Sequence, residues 1–209
     1  MIRRLVDWIR PPPVADLAAF RRFLSGEASY LAQRSTYEFT RNTLAWYGQA
    51  AFGDPAFNDV FRICRWEAFA GLLAGNVQIA EGALRARAEG NEAALADALA
   101  NSYAAMLAEY ALPAHRPNWD DAVARLRDRL GALQNAVPPA FATTTGIARE
   151  ATARVIAILP ARSANASEDR RTIETAFAFG AVAFQDRVRR RLQTDAVAAA
   201  LLAAARARR

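Results

Sequence analysis

Apolar residues recur at intervals of three and four through most of this chain, and no convincing alternation at intervals of two interrupts them. Three-and-four spacing belongs to amphipathic helices, so the pattern predicts an all-α protein. Ile2, Leu5, Val6 and Ile9 make Met1–Arg10 a short amphipathic helix, ended by Pro11, Pro12 and Pro13. A second helix is expected from about Asp16 to Ser25, with Gly26 as its cap. A long helix rich in aromatic and polar groups follows from Glu27 to about Phe52. Asp54-Pro55 reads as an N-cap and first helical residue, opening a helix over 55–75 that continues to 89. Phe57, Phe61, Cys64, Ala68, Gly71 and Gly75 form one apolar stripe on it, and Trp66, Phe69, Leu73 and Val77 another. A helix apolar on more than one side is expected at the centre of the fold.

Gly90 ends that segment, and Leu95, Leu99, Tyr103, Met106 and Tyr110 mark a helix over 91–111. Residues 112–117 read as a loop. Asn118 then caps a helix whose core face is Trp119, Val123, Leu126, Leu130 and Leu133, with Asp121 and Arg125 as an outer i,i+4 pair. Pro138 and Pro139 mark a break. Ile147, Ala151, Val155 and Ile158 define the next helix, which Pro160 closes. After a polar loop, Ser167 or Glu168 opens a helix facing inward with Ile173, Phe177, Gly180, Phe184 and Val188. An Ala-rich basic helix or tail, 193–209, ends the chain and is expected to fray. No stretch resembles a linker and no repeat appears. The expectation is therefore one all-α domain over 1–209, a single compact bundle of about eight or nine helices centred on 27–89.

Composition changes this picture mainly by exclusion. The chain has 209 residues and a mean hydropathy of −0.04, which suits a globular protein with a sizeable core. One cysteine, Cys64, forms no intramolecular disulfide. With His115 as the lone histidine, a Cys/His zinc site or a ferritin-like di-iron site lacks ligands. No EF-hand loop, phosphate-binding glycine loop or nucleophile elbow occurs, so no cofactor or metal is expected. All 27 basic residues are Arg, which excludes lysine chemistry. Together with 51 Ala, the absence of Lys reads as the codon bias of a GC-rich bacterial genome.

Residues 1–144 balance 15 Arg against 15 acids, whereas 145–209 carry 12 Arg and 6 acids. The excess charge thus sits in the last third, where it suits an anionic partner. No apolar stretch reaches the roughly 20 residues of a membrane span, and the N-terminus does not read as a signal peptide. The bacterial cytoplasm is the expected location, with the inner face of the membrane as the peripheral alternative.

Candidate chemistry concentrates in two runs. Tyr30, Gln33, Tyr37, Arg41 and Leu44 share a helical face, with Glu38 and Trp46 close by. Such a face can line a pocket in which Arg41 holds an anion and the tyrosines flank an apolar body, or it stands half exposed to water with Arg34–Glu38 and Glu38–Arg41 as local ion pairs. Arg62, Arg65, Trp66 and Glu67 stand on the central helix, where a buried charge must be paired. Pairing of Glu38 and Glu67 with Arg65 and Arg41 is expected. Gly71 and Gly75 form a small-x-x-x-small step for close helix approach. His115 reads as an exposed loop residue. Asp120-Asp121 lacks the third acid of an isoprenoid-type motif.

Three functions are compatible with these residues. The first is a non-enzymatic binding protein, holding a small apolar or anionic ligand or a partner helix against 27–52 and 55–89. Its contact set is Tyr30, Gln33, Tyr37, Glu38, Arg41, Trp46, Arg65, Trp66 and Glu67. The second is a peripheral membrane protein that meets an anionic surface or protein with Arg3, Arg4, Trp8, Arg187, Arg189, Arg190 and Arg191. The third is an enzyme with a Tyr/Glu/Arg pocket. Nucleic acid is disfavoured because no helix-turn-helix or stacking set accompanies the Arg cluster.

Overall fold

A computed structural model of the chain describes residues 12–44, 48–134, 141–161 and 165–207. The expected helix Met1–Arg10, with Arg3, Arg4 and Trp8, lies outside these residues, as do Trp46 and the Pro138-Pro139 break. Among the described residues the only regular elements are helices: α1 Leu17–Leu44, α2 Gly48–Ala51, α3 Pro55–Leu84, α4 Glu92–Ala108, α5 Asp120–Leu133, α6 Phe141–Ile156, α7 Ala166–Arg191 and α8 Thr194–Arg206. A single 3-10 turn, Arg85–Arg87, extends α3. Seven of these helices are long, against the eight or nine expected.

Part of that difference lies at Gly26. The expected break there does not occur, and α1 runs through it without interruption. Glycine costs a helix interior only about 1 kcal/mol. Phe20, Phe23, Leu24, Ala28 and Ala32 bury a continuous face across the site and outweigh that cost. Asp16 opens α1 by accepting a hydrogen bond from the backbone N–H of Ala19 at 2.7 Å.

The turn signals further along behave as their chemistry dictates. Asp54 caps α3, accepting from the N–H of Ala56 at 2.9 Å, and Pro55 takes the first helical position. Asp54→Ala is expected to lower stability by about 1 kcal/mol in a urea melt, because α3 then starts with an unmet donor. At the other end, Glu89 and Gly90 take φ of 47° and 85°, the left-handed geometry that reverses the chain into α4. Asn165 caps α7, accepting from Ser167 and Glu168. Asn118 accepts from the N–H of Asp120 at 3.0 Å, just ahead of α5.

Helix α3 contacts every other long helix, and each residue from Glu67 to Glu81 is buried. Its close neighbours are set by small residues. Gly71 lies against Ala151 and Arg154 of α6, and Gly75 lies against Ile147. On the α1 side Asn76 donates to the carbonyl of Leu24 at 3.0 Å. Glu81 keeps its buried charge paired with Arg85, which donates through Nε and Nη2 at 2.7 and 2.6 Å. Tyr103 of α4, fully buried, donates to the carbonyl of Ala70 at 3.1 Å.

All seven long helices contribute to one cluster of buried apolar residues. The terminal helix is part of it: Val197, Ala198 and Leu201 of α8 are buried, so the expected fraying is not seen over 194–206. Ala-rich composition keeps that helix thin, and it packs against α4. Before α1, Val14 pairs with the joint between α7 and α8, donating to Arg191 and accepting from Gln193. That bridge ties the start of the described chain to its last quarter.

Candidate ligand-binding site

The polar and aromatic face of α1 crosses the first half of α3, and two adjoining hollows open along the crossing. One, of about 280 Å³, is lined by Ser29, Ala32, Gln33, Arg62, Arg65, Trp66, Phe69 and Tyr110. The other, of about 350 Å³, is lined by Tyr30, Gln33, Arg34, Tyr37, Phe61 and Arg65. Gln33 and Arg65 belong to both and stand between them.

Ring packing forms the walls. Trp66, Phe69 and Tyr110 meet edge to face, with centroids 5.3 to 5.9 Å apart. On the far side, Phe52 contacts Tyr37, Phe57 and Phe61, each at 5.4 Å. These arrangements are the favoured ones for aromatic pairs and hold each ring in place. Gln33 donates to Ser29 at 2.9 Å, and Arg34 donates to the Tyr30 hydroxyl at 3.0 Å.

Of the cations here, Arg62 pairs with Asp59 and Arg34 with Glu38. Arg65 is half-buried, lies over the Phe61 ring at 5.8 Å, and forms no ion pair among the described residues. Arg41 is exposed and sits 6.0 Å from the Tyr37 ring. It lines neither hollow.

Of the residues singled out in the sequence, Tyr30, Gln33, Tyr37, Arg65 and Trp66 line these two hollows. Glu38 is not among them, since it pairs along α1 and faces the α7 side. Trp46 lies outside the described residues. Missing from the sequence-based set are Phe61 and Phe69. Their spacing of four on either side of Arg65 was the available signal. Tyr110 has no such signal, because it follows the end of α4.

Glu67 also lies elsewhere. It is two positions from Arg65, about 200° around the helix, and so points to the opposite side. The expected pairs of Glu38 and Glu67 with Arg65 and Arg41 do not form. Instead Arg116 donates to both oxygens of Glu67 at 2.5 and 2.8 Å. Arg154 of α6 reaches it at 3.4 Å, and His115 Nε2 lies 3.0 Å from Oε1. His115 is consequently half-buried rather than exposed. Arg116 also pairs with Asp121 at 2.7 Å and lies over the Trp119 ring at 4.5 Å. Asp121 pairs in turn with Arg125, as expected.

Burial alone would raise the Glu67 carboxyl. Hydrogen bonds from Arg116 and His115, with the charges of Arg116 and Arg154, outweigh it and hold the group below its ordinary value. A carboxylate so clamped is ionised and spatially fixed, which suits a structural joint better than a proton-transfer group. Cys64 nearby is fully buried, and burial pushes its thiol up to about 12. It stays protonated and inert.

The Arg-rich end of α7 is partly engaged by the protein itself. Arg187 pairs with Glu27 at 2.8 Å and Arg190 with Asp186. Arg191 donates to the carbonyl of Pro12 at 3.2 Å and lies over the Phe23 ring at 4.8 Å. Arg189 is exposed. No described helix is long and apolar enough to cross a membrane.

Fold and site together define an all-helical chain with a ring-lined, arginine-bearing cleft between its two longest helices. Comparison with known protein families, characterised proteins and solved structures yields no match to this chain.

Proposed function

We propose that this chain is a non-enzymatic helical binding protein whose cleft between α1 and α3 holds a small acid with an apolar or aromatic body. The observation that carries the reading is Arg65, a half-buried cation between two hollows with no ion-pair partner among the described residues. A guanidinium in that position has lost part of its hydration without gaining a counter-ion. An anion entering either hollow supplies one, through a charge-assisted and often bidentate contact. Trp66, Phe69 and Tyr110 offer the apolar wall against which the rest of the ligand rests. The hollows lie near the lower end of the range for ligand sites, which points to a small ligand.

The same proposal takes 1–209 as one helical domain working in the bacterial cytoplasm. A partner helix is the other occupant that the exposed Tyr30 and Tyr37 suit. The membrane-surface reading has less support, because Arg187, Arg190 and Arg191 already have partners within the protein. So does an enzymatic one, because both oxygens of Glu67 are engaged by cations.

Native mass spectrometry of gently purified protein tests the proposal. The expected result is an extra small mass, released on denaturation and absent from Arg65→Ala. Simple aromatic carboxylates should perturb the tryptophan fluorescence, and Arg65→Ala should weaken that response at least tenfold with an unchanged melting curve. A clean protein mass together with fluorescence indifferent to these acids would rule the proposal out. A retained mass of peptide size would replace the small acid with a partner helix.

A further inference from the structure

We infer that the outward face of α7 is a self-association surface, on which two copies of this chain pair their α7 helices antiparallel about a two-fold axis between Ala178 and Phe179. Helix α7 is long, and its inner face is fully used: Ile173, Phe177, Ala181, Phe184 and Val188 are buried. Its outer face is not. Phe179 is 73% exposed, the most of any large apolar side chain among the described residues. A single exposed ring is ordinary on a protein surface, so the inference rests on what surrounds it.

What selects a second copy is the order of residues on either side of that ring. At 100° per residue, Glu168, Arg171, Thr175, Ala178, Phe179, Val182, Asp186 and Arg189 all lie within about 50° of one line along the helix. Six of the eight are exposed, and Ala178 and Val182 are half-buried. In an antiparallel pair, residues equidistant from the axis face one another. Phe179 then meets the partner's Ala178, and Thr175 the partner's Val182. Arg171 meets the partner's Asp186, and Glu168 the partner's Arg189. Every charge on the stripe thus faces its opposite, and the apolar positions face apolar or small ones. The same helix reversed has this property, which is the self-complementarity that an isologous contact requires.

The surroundings agree with this register. A hollow of about 390 Å³ lies beside Ala178, with Thr145, Thr175 and Val182 on its walls and Arg170, Arg171 and Glu174 at its charged side, and the partner's Phe179 enters it. Of Arg170 and Arg187, which oppose one another in this register, Arg187 is held by Glu27, and Arg170 lines the hollow, its Cα well off the stripe. Glu174 is turned aside to Arg149 of α6 at 3.2 Å. Asp186 pairs with Arg190 within the chain, but both are exposed, and such a pair is readily exchanged. The stripe is small beside the roughly 800 Å² per partner of a standard interface, so the dimer should be reversible and concentration-dependent.

Sedimentation equilibrium of the full chain over a wide concentration range tests this. A monomer–dimer equilibrium is expected, weakened by salt. Phe179→Asp should be monomeric throughout, with its circular dichroism melt unchanged because the side chain is exposed. Arg171→Asp sets like charges face to face at two symmetric places and should weaken the dimer at least tenfold. Adding Asp186→Arg to it should restore wild-type association. A wild-type protein that stays monomeric, or a dimer indifferent to Phe179→Asp, overturns the inference. A double variant no tighter than Arg171→Asp alone overturns the register.

Discussion

Replacing Glu67 by Gln is expected to destabilise the protein by about 3–5 kcal/mol, the range for removing one partner of a buried ion pair. Glu67 is 7% exposed, and its two oxygens are the meeting point of Arg116, Arg154 and His115. Without the carboxylate, two guanidiniums remain in a partly dehydrated site with only Asp121 nearby, and Asp121 is already shared with Arg125. The loop before α5 and the end of α6 then lose their common attachment to α3. The effect has a pH signature. The Glu67 carboxyl is held below its ordinary value, so its folded value lies below its unfolded one. Its contribution is whole above about pH 4.3 and is lost as the pH falls through the folded value. The stability gap between wild type and Glu67→Gln should be wide at neutral pH and close under acid. A gap of less than about 0.5 kcal/mol at neutral pH would show that the joint is not holding these elements.

Gly75→Leu is expected to cost roughly 3 kcal/mol, the upper end of the overpacking range, while Gly26→Ala should raise stability by about 1 kcal/mol. Both glycines are interior to long helices, so intrinsic propensity rewards either change. Their surroundings decide the sign. A Cβ at Gly75 would already stand 2.4 Å from the Ile147 side chain, with α6 held in place by the contact of Gly71 with the Ala151 backbone one turn away. At Gly26 nothing lies within 4 Å. Thermal melts of the two variants check this directly. A tolerated Gly75→Leu would mean that α6 moves away from α3 freely, contrary to close packing at this crossing.

The two glycines also show where local reading failed. Gly26 resembles a helix cap in sequence, yet the apolar face of α1 continues past it, and burial of that face outweighs a single propensity penalty. Gly71 and Gly75 were legible as a close-approach step, but the helix they admit was not, since α6 lies some seventy residues further along. At the cleft, Tyr30, Gln33 and Tyr37 were legible from their shared face, and Arg65 and Trp66 from their density on α3. Tyr110 was not, and Glu67, two residues from Arg65 and so about 200° around the helix, faces the opposite side. Arg41 shares the helical face of the others but stands too near the end of α1 to reach the hollows.

By itself the sequence determined the helical class, the cap at Asp54, the reversal at Gly90 and the central place of α3. These follow from periodicity and backbone chemistry within a few residues, where spacing translates directly into geometry. Only the tertiary structure decided that Glu67 meets His115 and Arg116, forty-eight and forty-nine residues away, and that Arg65 remains unpaired beside two hollows. A charged side chain pairs with whatever the packed helices bring within a few ångströms, and in burial that choice is governed by desolvation rather than by distance along the chain.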